Sequence, residues 1–133
     1  MLRNTNEAYC WMSKSLSSIE VNTGIGEALN LMHHNNFRHL LITERGKLTG
    51  VVSQEDLSNA LQRNKSRVDS VMATDIQTFR ENTPLLEIVR YFIGKKCSLV
   101  PIVDEDELLI GVISNHDLLV ALETCLLEKQ VNA

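Results

Sequence analysis

The sequence predicts a mixed α/β (α+β) fold in which one β-α-β-β-α unit is written twice and the two copies pack about a pseudo-two-fold axis. Three observations carry this expectation. The 133-residue chain resembles itself at a fixed offset. Apolar residues recur at helical spacing at the same place in each copy, and each such helix is followed by two short apolar runs parted by a polar turn. A shift of 60 pairs Met12 with Met72, Asn22-Thr23 with Asn82-Thr83, Glu27 with Glu87 and Ile42 with Ile102. One inserted residue makes the shift 61, and Leu48 then pairs with Leu109, Gly50-Val51 with Gly111-Val112, Ser53 with Ser114, and Asp56-Leu57 with Asp117-Leu118. The insertion falls where the first copy reads ERGK and the second DEDEL, polar stretches suited to a hairpin turn.

In the first copy, Ser17 to Val21 alternates and reads as a short strand. Thr23 is placed to cap a helix. Apolar Ile25, Ala28, Leu29 and Met32 follow at i, i+3, i+4 and i+7, on one helical face. His39 to Thr43 and Leu48 to Val52 then read as a β-hairpin, and a second helix opens at Ser53. In the second copy Thr83-Pro84 starts the helix, with proline in the first position where it loses no hydrogen bond. Leu85, Ile88, Val89 and Phe92 form its apolar face, Leu99 to Val103 and Leu108 to Ile113 make the hairpin, and the last helix opens at Ser114. A unit of roughly 60 residues buries too little surface to be stable alone, so two must pack together. The short polar stretch Gln62 to Arg67 favours close docking. The expected boundaries are residues 8–63 for the first repeat, 64–67 for the linker and 68–127 for the second repeat.

Composition narrows the function. An apolar fraction of 44% with 23% charged residues is that of a chain that folds. Thirteen Lys and Arg against 17 Asp and Glu give a net charge of −4 without a basic block, so no nucleic acid is expected as a partner. Leu118 to Leu122 is among the longest apolar runs and is far short of the roughly 20 residues of a membrane helix. The polar start lacks the apolar core of a signal peptide. No membrane partner and a cytoplasmic location are therefore expected. Cys10, Cys97 and Cys125 are widely spaced and read as buried or incidental thiols. His33 and His34 diverge by about 100° on a helix and read as solvated residues near its C-terminus; His116 is expected to face water. No nucleophile, base and acid stand together, so no enzyme, catalytic residue, metal ligand or required cofactor is expected.

The element repeated most closely is GVVSQED at Gly50 to Asp56 and GVISNHD at Gly111 to Asp117. Two readings of it stand side by side. Ser-x-x-Asp after a strand is close to a capping box, in which the serine hydroxyl accepts the N–H of the third helical residue and the acid sits favourably on the helix dipole. The same geometry also makes a receptor: helix N–H groups and a hydroxyl for a phosphate, an aspartate for a ribose diol, and a glycine that lets a backbone or ligand come close.

On these two segments, with VDSVMATDIQTF at Val68 to Phe79, RHLLIT at Arg38 to Thr43 and LVPIVDED at Leu99 to Asp106, the chain from about Ala8 to Cys125 resembles a pair of cystathionine-β-synthase (CBS) domains, a Bateman module. The resemblance implies a regulatory module that senses adenosine-containing ligands (AMP, ADP, ATP or S-adenosylmethionine) in clefts between the repeats. In it Asp56 and Asp117 would hold ribose hydroxyls, and Ser53 and Ser114 would sit near phosphate or ribose. Backbone around Ile76 to Thr78, and by analogy Ile19 to Val21, would address the base. Arg38, His39 and Leu40, and in the second copy Leu99, Val100 and Pro101, would line the pocket. Leu41 replaces the family's usual proline, and Ser98-Leu99 stand where the first copy has Arg38-His39, so one cleft alone has an obvious phosphate-facing cation. The alternative is a purely structural or oligomerisation module whose Ser-x-x-Asp segments only cap helices.

The last helix bears on partners. Leu118 to Leu122 are consecutive apolar residues and Cys125, Leu126 and Leu127 follow, so the apolar positions surround the helix. A second buried surface is expected, made by a symmetric homodimer or by the segment carrying Tyr9 and Trp11. Any regulatory output would pass to a separate, unidentified protein.

Overall fold

The computed structural model describes residues 6–14 and 18–131. The chain runs β1 (Ser18–Glu20), α1 (Ile25–Asn35), β2 (His39–Glu44), β3 (Lys47–Ser53) and α2 (Gln54–Gln62), then β4 (Phe79–Arg80), α3 (Leu85–Lys95), β5 (Leu99–Val103), β6 (Leu109–Ser114) and α4 (Asn115–Val131). This is β-α-β-β-α twice. Ser17, the first residue of the expected strand, lies outside the described residues. The sheets have orders β1-β2-β3 and β4-β5-β6. β1 runs parallel to β2, with Ile19 opposite Ile42, and β4 runs parallel to β5, with Phe79 opposite Ile102.

Two compact units form, one of residues 18–76 with Asp106–Leu109, the other of residues 6–14, Gln77–Glu105 and 110–131. In the first, Ile25, Ala28 and Met32 of α1 pack with Leu40 and Ile42 of β2, Val52 of β3, Leu57 and Ala60 of α2, and Val68. Fully burying each large aliphatic side chain contributes about 1.5–3 kcal/mol. In the second, Ile88 and Phe92 of α3 pack with Val100, Ile102, Ile113 and Ala8, and Phe79 meets Tyr91 edge-on at 5.4 Å. The spacing in each first helix thus selects the residues that face the core, Leu29, Leu85 and Val89 being half-buried at its margin.

The polar turn of the first hairpin puts Arg45 at φ 53° and Gly46 at φ 83°, a two-residue turn of the kind that fits strand twist. A bulge follows, because Ile42 faces Gly50 while Thr43 faces Leu48. The extra residue, Thr49, donates its hydroxyl to the Ile42 carbonyl at 3.1 Å.

The helix starts differ from the sequence expectation. Neither Thr23 nor Thr83 caps a helix: α1 and α3 begin after Gly24 and Pro84, without a side-chain cap. Thr83 Oγ1 instead accepts the Arg80 N–H at 3.0 Å. The first helical N–H groups find carbonyls from remote segments, Ile25 bonding to Ser66 O and Leu85 to Asn6 O.

Each unit is completed by a strap along the outer side of its last strand. Ala73 and Val51 exchange two hydrogen bonds of 2.9 Å, and Ser13 and Val112 exchange two of 2.8 and 3.0 Å. The residue before each strap contact is a methionine, Met72 or Met12, lying over the motif glycine. A Cβ on Gly50 would stand 2.6 Å from Met72 Sδ and 3.0 Å from Ala73 O; one on Gly111 would stand 2.7 Å from Met12 Sδ and 3.1 Å from Ser13 O. The motif glycines are therefore required by the protein's own backbone, and this close approach accounts for them without a ligand.

Candidate functional site

β3 ends and α2 begins at Ser53, whose extended backbone (φ −100°, ψ 160°) turns the chain into the helix. Its Oγ accepts the Asp56 N–H at 3.0 Å. The antiparallel register sets His39 opposite Ser53, and the Gln54 N–H donates to Arg38 O at 3.0 Å. One end of the first sheet thus gathers Arg38, His39, Ser53 and Asp56. The Asp56 carboxylate accepts no hydrogen bond among the described residues.

The second motif is built alike and closes differently. Asn115 N–H donates to Ser98 O at 3.1 Å, as Gln54 does to Arg38. Asp117 Oδ2, however, accepts both the Ser114 N–H at 2.9 Å and the Ser114 hydroxyl at 3.1 Å, while Ser114 Oγ accepts the Asp117 N–H at 3.3 Å. This is the complete reciprocal capping box. The two aspartates, alike in sequence, are committed in the second copy and uncommitted in the first.

The other expected site residues are spread. Leu40 and Val100 lie in the two cores, at 0% and 1% exposure, and Pro101 is buried, so their side chains are packing groups. Ile19 and Val21 are half-buried against the first core, beside Ile42 and Thr43, toward the opposite end of β2 from the His39–Ser53 pair. Ile76 belongs to the same unit and Thr78 to the other, directly before β4. The analogy between Ile19–Val21 and Ile76–Thr78 is out of register by three residues. Parallel pairing makes Ile19 the counterpart of Phe79 and Ser18 that of Thr78; the counterpart of Ile76, Leu16, lies outside the described residues.

Two cavities flank the first motif. One of about 480 Å³ is lined by His33, Asn36, Phe37, Arg38 and Gln54. The other, about 310 Å³, is lined by Asp56, Asn59, Arg63, Lys65 and Ser70. Arg63 and Lys65 were missed in the sequence; their signal was the i+7 spacing of Arg63 from Asp56. An apolar groove of about 550 Å³ lies between α3 and α4, lined by Leu85, Val89, Leu118, Leu119, Leu122 and Cys125. Leu119, Leu122, Leu126 and Leu127 are each more than half exposed, in keeping with the all-round apolar pattern of α4. His33, His34 and His116 are exposed. Cys125 is exposed, while Cys10 and Cys97 are half-buried. Burial pushes the Cys97 thiol up. Among the described residues no group of three or more His, Cys, Asp or Glu is placed to hold a metal, and no helix is long and apolar enough to cross a membrane.

The CBS domain family model matches residues 7–63 and again 68–124, with one glycine-to-aspartate segment in each match. The chain belongs to the CBS domain family. Curated relatives include the L-aspartate semialdehyde sulfurtransferase of Methanocaldococcus jannaschii, 28% identical over 108 residues, which are 80% of this chain and 21% of that protein. The inosine-5′-monophosphate dehydrogenase of the same organism is 26% identical over 107 residues, 80% of this chain and 21% of that protein. The chain thus spans about a fifth of these enzymes. Among solved structures, the CBS domain pair of protein MJ0100 in complex with 5′-methylthioadenosine and S-adenosyl-L-methionine is 25% identical, with a TM-score of 0.75, covering 89% of this chain and 96% of that one. A CBS domain pair/ACT domain protein from Thermotoga maritima is 26% identical, with a TM-score of 0.76 over 90% of this chain and 98% of that one.

Proposed function

We propose that this CBS pair is a regulatory module, without catalytic activity of its own, that binds an adenosine-containing ligand and acts on a separate protein. The observation that carries the reading is the Asp56 carboxylate, set on the first turn of α2 beside the Ser53 cap and without an internal partner. A capping box alone would use that carboxylate, as Asp117 is used. Left over, it offers two acceptor oxygens to a vicinal diol, next to the positive end of α2. The similarity to a CBS pair crystallised with 5′-methylthioadenosine and S-adenosyl-L-methionine supports adenosine as the shared part of the ligand.

In this reading Ser53 and Asp56 orient the ribose, Arg38 and His39 face the anionic side, and the backbone at Ile76 addresses the base. Leu40 supports that wall from the core, as Val100 and Pro101 do in the second copy. There Ser114 and Asp117 act as a helix cap, and a ligand would first have to displace their mutual bonds. Ile19, Val21 and Thr78 meet the ligand through backbone atoms only. The ligand is regulatory and no cofactor is required. The exposed leucines of α4 pair two copies into a homodimer, and the module works in the cytoplasm without nucleic acid or membrane.

Thermal unfolding of the chain, freed of carried-over ligand, tests this against adenine nucleotides, 5′-methylthioadenosine and S-adenosylmethionine. A ligand at 100 times its Kd adds about 2.7 kcal/mol and raises the midpoint by several degrees. Asp56→Ala should remove the response and Asp117→Ala should retain it. No response to any adenosine compound would refute the proposal.

A further inference from the structure

We propose that two copies of this chain meet through the second repeat alone, the exposed ridge of α4 from each copy lying in the groove between α3 and α4 of the other. The inference rests on the homodimer reading given above and adds the surface used and its restriction to one repeat. The groove, about 550 Å³, has apolar walls that include Leu85 and Val89 of α3 and Leu118 and Leu122 of α4. On α3, Leu86 and Ile93 share a stripe with Val89 at i, i+3 and i+7, and on α4 Leu119, Leu122 and Leu126 have the same spacing. The chain thus carries both parts of a helix-in-groove contact, an apolar channel and an apolar helix stripe beside it. A two-fold arrangement uses both parts on both copies.

The area suits a dimer. Leu86, Ile93, Leu119, Leu122 and Leu126 are each more than half exposed. On a full area of roughly 180 Å² per residue they present roughly 540 Å² of apolar surface, against roughly 520 Å² for the apolar share of a standard homodimer face of about 800 Å².

The first repeat lacks this face. At the same offsets it has Gly26 for Leu86, His33 for Ile93, Ser58 for Leu119 and Lys65 for Leu126, and keeps an apolar residue only in Leu61 for Leu122. Its second helix also stops at Gln62, whereas α4 runs on to Val131, so the turn that carries Leu126 has no helical counterpart.

Charge at the rim fits a second copy. Arg90 follows Leu86 by one turn on α3, and Glu123 follows Leu119 by one turn on α4; neither has an ion-pair partner among the described residues. Two-fold packing sets Arg90 of each copy toward Glu123 of the other and makes the pair twice.

Sedimentation velocity of the full chain over about 1–100 μM tests the assignment. The unmodified chain should sediment as a dimer, and Leu122→Glu should weaken that dimer at least about thirtyfold. Leu61→Glu, the same change at the counterpart position of the first repeat, should leave it intact. Arg90→Glu and Glu123→Arg should each weaken association about tenfold and together restore it, a rescue that an unfolded variant could not give. A dimer weakened by Leu61→Glu as much as by Leu122→Glu would overturn the restriction to one repeat. A dimer untouched by Leu122→Glu and by the charge reversals would overturn this face and leave the homodimer reading standing. A monomer throughout the range would overturn both and give the face to a different protein, with the ligand reading unaffected.

Discussion

Adding one methyl group to Gly50 tests the strap, because the new Cβ of Gly50→Ala has nowhere to go. It would stand 2.6 Å from Met72 Sδ, 2.8 Å from Met72 Cγ and 3.0 Å from Ala73 O. The thioether end is soft and swings aside for a modest cost. The Ala73 carbonyl is not soft, since it accepts the Val51 N–H in the paired strap. Overpacking of this kind costs about 1–3 kcal/mol, and the backbone contact argues for about 2. For a chain of this size that lowers the midpoint by about 6–8 °C, read by differential scanning calorimetry. Met72→Ala made together with Gly50→Ala should recover about 1 kcal/mol relative to the sum of the single changes, because only the clash with Ala73 O remains. Gly26→Ala is the internal control: its added methyl meets nothing within 4 Å, and it is an exposed position in the first turn of α1, so the change should be neutral or stabilise by up to about 0.5 kcal/mol. Strict additivity of the Gly50 and Met72 changes, or a Gly50→Ala midpoint within about 1 °C of the parent, would refute the close-approach account.

The two motif aspartates should separate in urea unfolding. Asp117→Ala loses a reciprocal cap and costs about 1–2 kcal/mol, whereas Asp56→Ala removes no internal partner and stays within about 0.5 kcal/mol; equal costs would contradict the asymmetry. Thiol labelling at neutral pH should reach Cys125 before Cys97, since the first is exposed and burial holds the second in its protonated form. The sign of the linkage is set by a folded Cys97 pKa above its unfolded value of about 8.5. Its contribution to stability is complete below that value and is lost as pH climbs through the folded one. Cys97→Ala should therefore flatten the alkaline limb of the midpoint–pH curve and leave the neutral limb parallel to the parent's.

The order of elements was legible in the sequence because two local signals agree at each step. Ile25, Ala28 and Met32 repeat with helical period and are the residues that reach the first core, and polar turn residues sit where each hairpin reverses. The misreadings share one cause: the partner is remote in sequence. Thr23 and Thr83 look like caps, but the helix N–H groups they would serve are taken by Ser66 O and Asn6 O, which no local pattern reveals. Gly50 and Gly111 look like ligand-approach glycines until Met72 and Met12 are found above them. Those methionines had repeated at the offset of 60 without an assigned purpose. At the site, the serine caps were readable from spacing alone. The difference between Asp56 and Asp117 was not, because both motifs fit one pattern and the two carboxylates differ in burial and in the hydrogen bonds they accept.

Staple and sheet are out of phase along the chain. Residues 68–73 secure the outer edge of β3, and residues 8–13 secure that of β6. A fragment trimmed to residues 8–63 carries a staple for a sheet it does not contain and leaves Val51 with an unpaired N–H and C=O, an invitation to edge-to-edge association. One trimmed to 18–76 keeps its own. The cassette that recombination or a protein engineer can lift out whole is thus displaced from the one that the repeated letters mark, and a swap made at the visible repeat boundary would exchange the fastenings of both halves at once.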